Sequence, residues 1–497
     1  MLGLLGNALV NMLDLSTILG MVAGLAVGLS FGAMPGLNAT IGITLLLPVT
    51  FGMSPAAAML MLIGVYCGAT FAGSISAILI KTPGTAAASA TVLEGYPMTL
   101  KGKASTALSI ALRGSVVGGL FSGVCLLFFA PQLANLALKF GAPDYFMLTV
   151  FGLTIIASVS GKSILKGVTM AALGLLVTTI GIDPQQGVYR LTFGSDILVR
   201  GVDLVPALIG LFAISELFSQ AEKKILRLSQ PPQVKMDKAH GWKDMLKFKW
   251  LMLKSSIIGV IVGACPGTGA AIAAFLSYGE AKRGSKHPEE FGNGSEEGLC
   301  AAETANNAVT GATLIPMLTL GIPGDSVTAV LMGALTIQGL TPGTELFVKH
   351  ADMTYVVLVG FIIVQILMFY MGKLAIRGFS QITKIHTNAI NSNGNKMISF
   401  RNNSTYSCSN NMTDILIAIL FGLIGYIMPK FGFPTTPMLI GIVLGSLAEK
   451  NLVRTMAVYA GDVSVFFTRP ISLLFLALSV VSVAFALLQK HRDKKKA

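Results

Sequence analysis

A glutamate and two asparagines stand close together in the run Ala302–Ala308, which leads into apolar sequence. Carboxylate and amide oxygens are suitable ligands for hard cations, and their burial without a partner or ligand costs free energy. Asp325 directly follows a Pro-Gly pair that interrupts the apolar sequence. It could also cap the next helix, a role compatible with ion binding. We expect a site for Na⁺ or H⁺, formed by backbone carbonyls of unwound segments together with Glu303, Asn306, Asn307 and Asp325.

Four Pro-Gly pairs interrupt the apolar sequence and predict a second kind of site. Proline removes a backbone donor, glycine admits positive φ, and a helix that restarts after the break points free N–H groups at an anion. In hydrocarbon, such a break is tolerated where it faces protein or a polar cavity. The residues expected to bind an anionic substrate are Pro35, Gly36, Asn38, Thr40, Pro83, Gly84, Thr85, Pro266, Gly267, Thr268, Gly269, Pro323, Gly324 and Ser326.

The breaks occur in the same order in the two halves of the chain. Gly32–Thr40 is echoed by Gly263–Ala271, and Lys81–Thr85 is echoed by Gly321–Asp325. Two interrupted helices at matching positions of two halves are typical of transporters with internal repeats, most often inverted in the membrane. The alternative is that the breaks are proline kinks that serve helix packing alone.

Composition defines the fold class. Of the 497 residues, 53% are hydrophobic and 12% are charged, with a mean hydropathy of +0.73, whereas soluble domains carry about a quarter charged residues. We therefore predict an all-α polytopic membrane protein with roughly ten to twelve transmembrane segments. The five scattered cysteines predict neither a disulfide framework nor a zinc site, and we expect no cofactor.

The net charge of +13 is concentrated in the central linker and the C-terminal tail. This distribution matches the excess of Lys and Arg on the cytoplasmic side of membrane proteins, and we place both segments in the cytoplasm. The predicted organisation is a first transmembrane repeat over 1–220, a basic linker over 221–254, and a second repeat over 255–497 with C-terminal spans and a basic tail. Arg113 lies within a predicted span and is expected to have a structural role.

Several of these segments resemble one family over nearly the whole chain. The segments GAMPGLNATIGITLLLP, GYPM, GACPGTGAAIAAF, AETANNA and LTLGIPGD are similar to those of the large membrane subunit of the tripartite tricarboxylate transporters, the TctA family. The resemblance implies uptake of citrate-like tricarboxylates or dicarboxylates, driven by a cation gradient, in the bacterial inner membrane. It also implies two partners: a small TctB-like membrane subunit and a periplasmic TctC-like solute-binding protein that delivers the substrate.

The chain departs from this family pattern at three places. Lys81 stands where a small polar residue is expected, and Glu94 stands where an aspartate is common. The stretch His386–Thr413 is rich in Asn and Ser where the family has another hydrophobic span. Our hypothesis for this stretch is a compensated frameshift, in the gene or its sequencing, that replaced one helix.

The alternatives to a carrier are an intramembrane enzyme and a carboxylate channel. An intramembrane enzyme needs a metal motif or a nucleophile with a base, and the sequence has no HExxH motif and no Ser/His pair in apolar context. A carboxylate channel could use Pro-Gly breaks in its filter, although filters built from carbonyl rings usually come from symmetric subunits. We therefore expect a transporter and no enzymatic activity.

Overall fold

The structure is a computed structural model that describes residues 2–12, 14–34, 36–154, 163–183, 187–222, 237, 239–265, 269–382 and 412–496. Its α-helices, numbered in chain order, are α1 (Leu2–Asn11), α2 (Leu15–Ala33), α3 (Ala39–Leu46), α4 (Pro55–Ile80), α5 (Ser89–Leu100), α6 (Ala104–Ala137), α7 (Ala142–Thr154), α8 (Ile164–Thr178), α9 (Asp196–Val199), α10 (Leu204–Leu208), α11 (Ser215–Glu222), α12 (Trp242–Met245), α13 (Lys249–Ala264), α14 (Gly269–Gly284), α15 (Glu296–Ala312), α16 (Leu314–Leu320), α17 (Ser326–Ile337), α18 (Thr344–Lys349), α19 (Ala351–Ile382), α20 (Met412–Lys430), α21 (Thr435–Val458), α22 (Val465–Thr468) and α23 (Pro470–Lys496).

Shorter elements complete the described chain. Strands β1 (Gly181–Ile182) and β2 (Tyr189–Arg190) form an antiparallel ribbon in which Gly181 pairs with Arg190 and Ile182 with Tyr189. The 3₁₀ turns are Leu47–Gly52, Ala86–Ala88, Leu246–Phe248 and Pro288–Glu290, and a π-helical turn covers Ile209–Ile214. The fold is therefore all-α, as predicted.

Five described helices are long and apolar enough to cross a membrane: Leu15–Ala33, Pro55–Ile80, Ala104–Ala137, Ala351–Phe379 and Thr413–Lys430. Five shorter apolar segments accompany them: Ala39–Gly52, Ile164–Thr178, Leu204–Ser219, Ser326–Ile337 and Pro470–Ala484. This pattern confirms a polytopic membrane protein, while the count of ten to twelve segments stays a prediction.

The chain divides into two compact units, and each takes one segment from each half of the sequence. The first unit comprises Met1–Gln132 and Glu222–Ser404, and the second comprises Leu133–Ala221 and Thr405–Ala497. The predicted repeats, 1–220 and 255–497, are stretches of sequence, whereas the compact units are groups of residues in contact. The predicted repeats therefore stay a prediction.

Small residues bring the helices of the first unit together. Cβ atoms added at Gly24, Gly28 and Gly32 of α2 would lie 1.9–2.5 Å from backbone oxygens of α4, so the two backbones are in direct contact. The same spacing recurs on α13, where Gly259 and Gly263 lie against α15. Close backbone approach through small residues spaced by four is the packing mode that a lipid environment favours.

The second unit contains an ion pair with a buried carboxylate and a partly exposed arginine. Asp144 at the start of α7 is fully buried, and it accepts hydrogen bonds from Arg469 Nη2 at 2.7 Å and from Ser472 Oγ at 2.6 Å. The backbone N–H of Gly141 donates to the same carboxylate at 2.8 Å. The Asp144 charge is therefore compensated within its own unit.

Candidate functional site

All the described break residues lie in the first unit, and each break ends one helix and begins another. Helix α2 ends at Ala33, Gly36 follows with φ +90°, and Asn38 caps α3 by accepting a hydrogen bond from the Ile41 N–H at 3.0 Å. Positive φ at Gly36 is accessible to glycine at little cost, so the sequence pattern gave the correct conformation. Asn38, one of the predicted substrate ligands, therefore also serves as a helix cap, while Pro35 lies outside the described residues.

The Lys81–Thr85 break has the tightest backbone packing of the site. Helix α4 ends at Ile80, and Lys81 adopts the left-handed conformation with φ +59°. The Gly84 N–H donates to the Gly73 carbonyl at 3.1 Å, and a Cβ at Gly84 would lie 1.9 Å from the Gly32 carbonyl oxygen. Gly84 therefore joins the end of α2 to the end of α4, and a side chain cannot be added without moving backbone.

The Gly321–Ser326 break follows the same backbone path in the second half. Gly321 ends α16 in the left-handed conformation with φ +69°, and Asp325 then caps α17 in an extended conformation. The Asp325 carboxylate accepts from the Thr328 N–H at 2.8 Å and from the Tyr66 hydroxyl at 2.6 Å. The capping role that the sequence left open for Asp325 is thus present.

The breaks meet in crosswise pairs. The hydroxyls of Thr40, after the first break, and Ser326, after the last, lie 3.4 Å apart, and α3 packs against α17. The turn Ala86–Ala88, directly after Thr85, packs against α14, which starts at Gly269. Each contact therefore brings a break from one half together with a break from the other.

A buried carboxylate lies beside the second of these contacts. Glu303 of α15 is fully buried, and its Oε1 accepts from the Ser74 hydroxyl at 2.5 Å and from the Thr91 hydroxyl. The Ser115 hydroxyl donates to Oε2 at 3.2 Å and in turn accepts from the Asn307 amide Nδ2 at 2.7 Å. We call Ser74, Thr91, Ser115, Glu303 and Asn307 the Glu303 cage; within the described residues, no Lys, Arg or His pairs with its carboxylate.

Three buried polar groups near the cage have no hydrogen-bond partner among the described residues. They are both side-chain atoms of Asn306, the Asn307 Oδ1 and the Thr85 Oγ1. Asn306 and Asn307 are fully buried, and Thr85 Oγ1 lies 2.6 Å from the place of a Cβ on Gly73, the neighbour of Ser74. Buried polar groups without partners are uncommon in folded proteins and mark a place where a ligand can bind.

The structure thus separates the expected cation ligands into two places. Glu303 and Asn307 share one cage and Asn306 adjoins them on α15, whereas Asp325 contacts Tyr66 and caps α17. Tyr66 precedes Ser74 by eight residues on α4, so the two places lie about 12 Å apart along that helix. Of the remaining substrate-site predictions, Pro83, Pro323 and Gly324 lie in their breaks as described, while Pro266, Gly267 and Thr268 lie outside the described residues.

Sequence reasoning did not identify the cage hydroxyls or the partners of Glu94. Ser74, Thr91 and Ser115 come from α4, α5 and α6, and no local pattern relates them to Glu303. Glu94 of α5 is fully buried and accepts hydrogen bonds from the N–H groups of Gly292, Gly294 and Ser295 at 2.5–2.7 Å. Tyr278 of α14 donates to it at 2.7 Å, so this carboxylate holds the α14–α15 loop against α5.

Arg113, for which a structural role was predicted, contacts a backbone carbonyl and an aromatic ring. Its Nη1 donates to the Ser109 carbonyl at 3.1 Å, and its guanidinium lies 5.6 Å from the centre of the Trp242 ring. These contacts keep the cation beside an aromatic ring within the first unit. The predicted frameshift in the stretch 386–413 falls almost entirely outside the described residues, which resume at Met412.

Comparison with known proteins identifies the family. The model of the tripartite tricarboxylate transporter TctA family matches residues 18–440. An uncharacterized 52.8 kDa protein in the TAR-I ttuC′ 3′ region of Agrobacterium vitis is 36% identical over 472 residues, which cover 95% of this chain and 93% of that protein. A second uncharacterized protein, in the TAR-II ttuC′ 3′ region of the same organism, is 35% identical over 237 residues, or 48% of this chain and 97% of its own length.

No solved structure matches the chain. The family match covers both pairs of Pro-Gly breaks and every residue of the Glu303 cage, and the helices that carry them are those of a multi-pass membrane protein. The chain therefore belongs to the tripartite tricarboxylate transporter TctA family and has a role in transport.

Proposed function

We propose that this protein is the large membrane subunit of a secondary active transporter that takes up dicarboxylates or tricarboxylates such as citrate. A cation gradient, of Na⁺ or H⁺, drives the uptake. The protein works in the bacterial inner membrane with a small TctB-like subunit and a periplasmic TctC-like protein that delivers the substrate. The central linker and the C-terminus face the cytoplasm, in line with their basic charge.

One observation carries the proposal: Thr85 and Asn306 present buried, unpartnered hydrogen-bonding groups beside the contact between a first-half and a second-half break. A carboxylate that leaves water must recover its hydrogen bonds, and a hydroxyl, an amide and backbone N–H groups can supply them. The Thr85 hydroxyl lies against Gly73, at the close backbone contact of α4 with Gly84. We assign the substrate carboxylates to this contact.

Cation coupling is supported by the composition of the neighbouring groups. The nearby Glu303 carboxylate has no basic partner in the described part of the chain, and an uncompensated buried charge is costly. Binding of a cation or a proton neutralises it, and a carrier can use that binding to couple substrate movement to an ion gradient. Alternating access then requires one half, or an inner pair of helices, to move past the other.

The test is uptake of labelled citrate, and of a panel of other carboxylates, by membrane vesicles that contain the chain, its small membrane subunit and the binding protein. We expect accumulation that requires an imposed Na⁺ or pH gradient and that stops when an ionophore removes this gradient. Vesicles without the chain serve as the control for substrate that adheres to the membrane without being transported.

Counter-flow completes the test. Vesicles loaded with unlabelled substrate should accumulate labelled substrate transiently if the protein is a carrier. Equilibration without counter-flow would show a carboxylate channel, and chemical conversion of the substrate would show an enzyme. Either result contradicts the proposal.

A further inference from the structure

We propose that one dehydrated Na⁺ ion binds in the Glu303 cage and that its binding assembles the Lys81–Thr85 break for the substrate. This inference rests on the proposed function and names the coupling ion, its ligands and its place in the order of binding. Ser74, Thr91 and Ser115, which the sequence did not indicate, become ion ligands together with Glu303 and Asn307.

The chemistry of the cage fits a monovalent ion. Every group that donates to the Glu303 carboxylate is a hydroxyl, and the Asn307 amide joins the cage by donating to Ser115. Hydroxyl oxygens can accept as well as donate. The Asn307 Oδ1 is buried and has no partner in the described chain. A site of neutral oxygen ligands and one carboxylate has no net charge once it binds one Na⁺. Among the described residues, no group of three or more His, Cys, Asp or Glu side chains could hold a metal of higher charge.

Other charged groups on the surrounding helices are engaged elsewhere. Glu94 of α5 binds Tyr278 and the α14–α15 loop, and Arg113 of α6 binds the Ser109 carbonyl and Trp242. On α13, Lys254 pairs with Glu280 of α14 at 3.2 Å. Two buried thiols also lie on the helices of the cage, Cys67 on α4 and Cys300 on α15. The Glu303 charge is therefore left for an ion that enters from outside.

Asp325 does not belong to this ion site. Both of its carboxylate oxygens are in use, Oδ1 by Thr328 of its own capping box and Oδ2 by the Tyr66 hydroxyl. Its partner Tyr66 lies about 12 Å from Ser74 along α4, so Asp325 does not share an ion with the Glu303 cage. The structure thus assigns ion binding to one of the two carboxylates that the sequence offered.

The position of the cage explains how ion and substrate are coupled. Ser74 belongs to α4, before the Lys81–Thr85 break, and Thr91 belongs to α5, after it. An ion held by both residues fixes the two sides of the break, where the Gly84 N–H also binds the Gly73 carbonyl. Na⁺ should therefore raise the affinity for a carboxylate, and the carboxylate should raise the affinity for Na⁺ by the same factor, about 5- to 150-fold.

Na⁺ alone is the first probe. The thermal unfolding midpoint of the purified full-length protein in detergent is measured against NaCl, with choline chloride holding ionic strength constant. We expect a saturable rise in Tm with Na⁺. Thr91→Val, which removes an oxygen and keeps the shape, should raise the NaCl concentration for half of that rise about 10- to 100-fold.

Two variants serve as matched controls. Thr91→Ser keeps the hydroxyl and should keep the Na⁺ response, while Asp325→Asn should lower the starting Tm and leave the response to Na⁺ in place. A Na⁺ response that is absent from the unmodified protein, or unchanged in both Thr91→Val and Glu303→Gln, overturns the inference. So does a Tm that responds to pH through Glu303 and never to Na⁺, which would make the ion a proton.

Uptake measured on the same variants separates this inference from the proposed function. If uptake is driven by Na⁺ while Thr91→Val binds Na⁺ normally, the transport proposal stands and the cage assignment is wrong. If the cage binds Na⁺ as expected but no carboxylate is accumulated, the ion site stands and the transport proposal is wrong.

Discussion

The Lys81–Thr85 and Gly321–Asp325 breaks have the same backbone path and different bonding. Each begins with a left-handed residue that ends a helix, and each ends with an extended residue that begins the next. When Lys81 is aligned with Gly321, Thr85 aligns with Asp325 and Tyr66 with Asn306. Tyr66 and Asp325 share a hydrogen bond of 2.6 Å, whereas Thr85 Oγ1 and the Asn306 amide have no partner among the described residues.

In our proposal, one pattern therefore serves structure at the second-half break and binding at the first-half break. In the second-half break, the carboxylate and the tyrosine satisfy each other, and the contact stabilises the start of α17. In the first-half break, the equivalent positions hold a hydroxyl and an amide that are free to bind a ligand. Motif repetition alone therefore does not distinguish the two breaks, whereas their hydrogen-bond partners do.

The largest expected effect separates the two break glycines. Gly84→Ala should abolish uptake and cost at least the upper end of about 1–3 kcal/mol of stability, because its Cβ would lie 1.9 Å from the Gly32 carbonyl oxygen. Gly324→Ala should be milder, since its nearest neighbours are the Thr313 Cβ and Cγ2 at 2.8 Å. Uptake and Tm of both variants are the measurements.

A second substitution sharpens this pair. Thr313→Ser removes Cγ2 and should restore part of the loss in Gly324→Ala, while it should leave Gly84→Ala unchanged. Equal losses in the two single variants would show that the two breaks are packed alike, contrary to the comparison.

The next effect concerns the Tyr66–Asp325 contact. Tyr66→Phe removes the hydroxyl that binds the Asp325 carboxylate and should lower the free energy of unfolding by about 1.5–3 kcal/mol. Tyr355→Phe is the control, because Tyr355 is also buried and the described structure shows no hydrogen bond from its hydroxyl. The comparison fails if the two variants have the same Tm.

Thr85→Val should affect binding and leave stability almost unchanged. The hydroxyl has no partner to lose, so the free energy of unfolding should stay within about 0.5 kcal/mol of the original. The KM for uptake should rise about tenfold, as expected for one lost hydrogen bond to a charged ligand. Thr82→Val is the matched control, because the Thr82 hydroxyl binds the Ile80 carbonyl at 3.2 Å; an equal KM for both variants would place the substrate elsewhere.

The smallest effect concerns the first residue of each break. Lys81 has φ +59°, where its aligned counterpart Gly321 has φ +69°, and a side chain in this region costs about 1 kcal/mol. Lys81→Gly should therefore raise stability by about that amount. Lys81→Ala removes the charge and keeps the Cβ, so it should bring no such gain, and an equal gain from both would assign the effect to the charge.

Much of this molecule could be predicted from its sequence because membrane insertion and backbone geometry leave local signals. Long apolar runs predicted the spans, and Pro-Gly pairs predicted where α2, α4 and α16 end. The run AETANNA was singled out because polar groups are costly in apolar sequence, and the structure places its Glu303 and Asn307 in one hydrogen-bonded cage. The unexpected Lys81 also has a clear structural counterpart, the glycine at position 321.

The rest depended on contacts between distant parts of the chain. Ser74, Thr91 and Ser115 reach Glu303 across sequence separations of 229, 212 and 188 residues, and serine or threonine in a membrane helix more often bonds its own backbone. Local sequence patterns could not predict which segments form each compact unit either, since each unit combines segments from both halves of the chain.

Glu94 has a consequence for how the protein is made. Its carboxylate is buried on α5, yet three of its hydrogen-bond donors, the N–H groups of Gly292, Gly294 and Ser295, are 198 to 201 residues further along the chain. During synthesis, α5 emerges long before the α14–α15 loop, and a carboxylate without its donors is costly to bury in a membrane. The hydrogen-bond donors that hold α5 in its native position therefore exist only after the ribosome has passed Ser295. A helix from the first quarter of the chain thus reaches its native position late in synthesis.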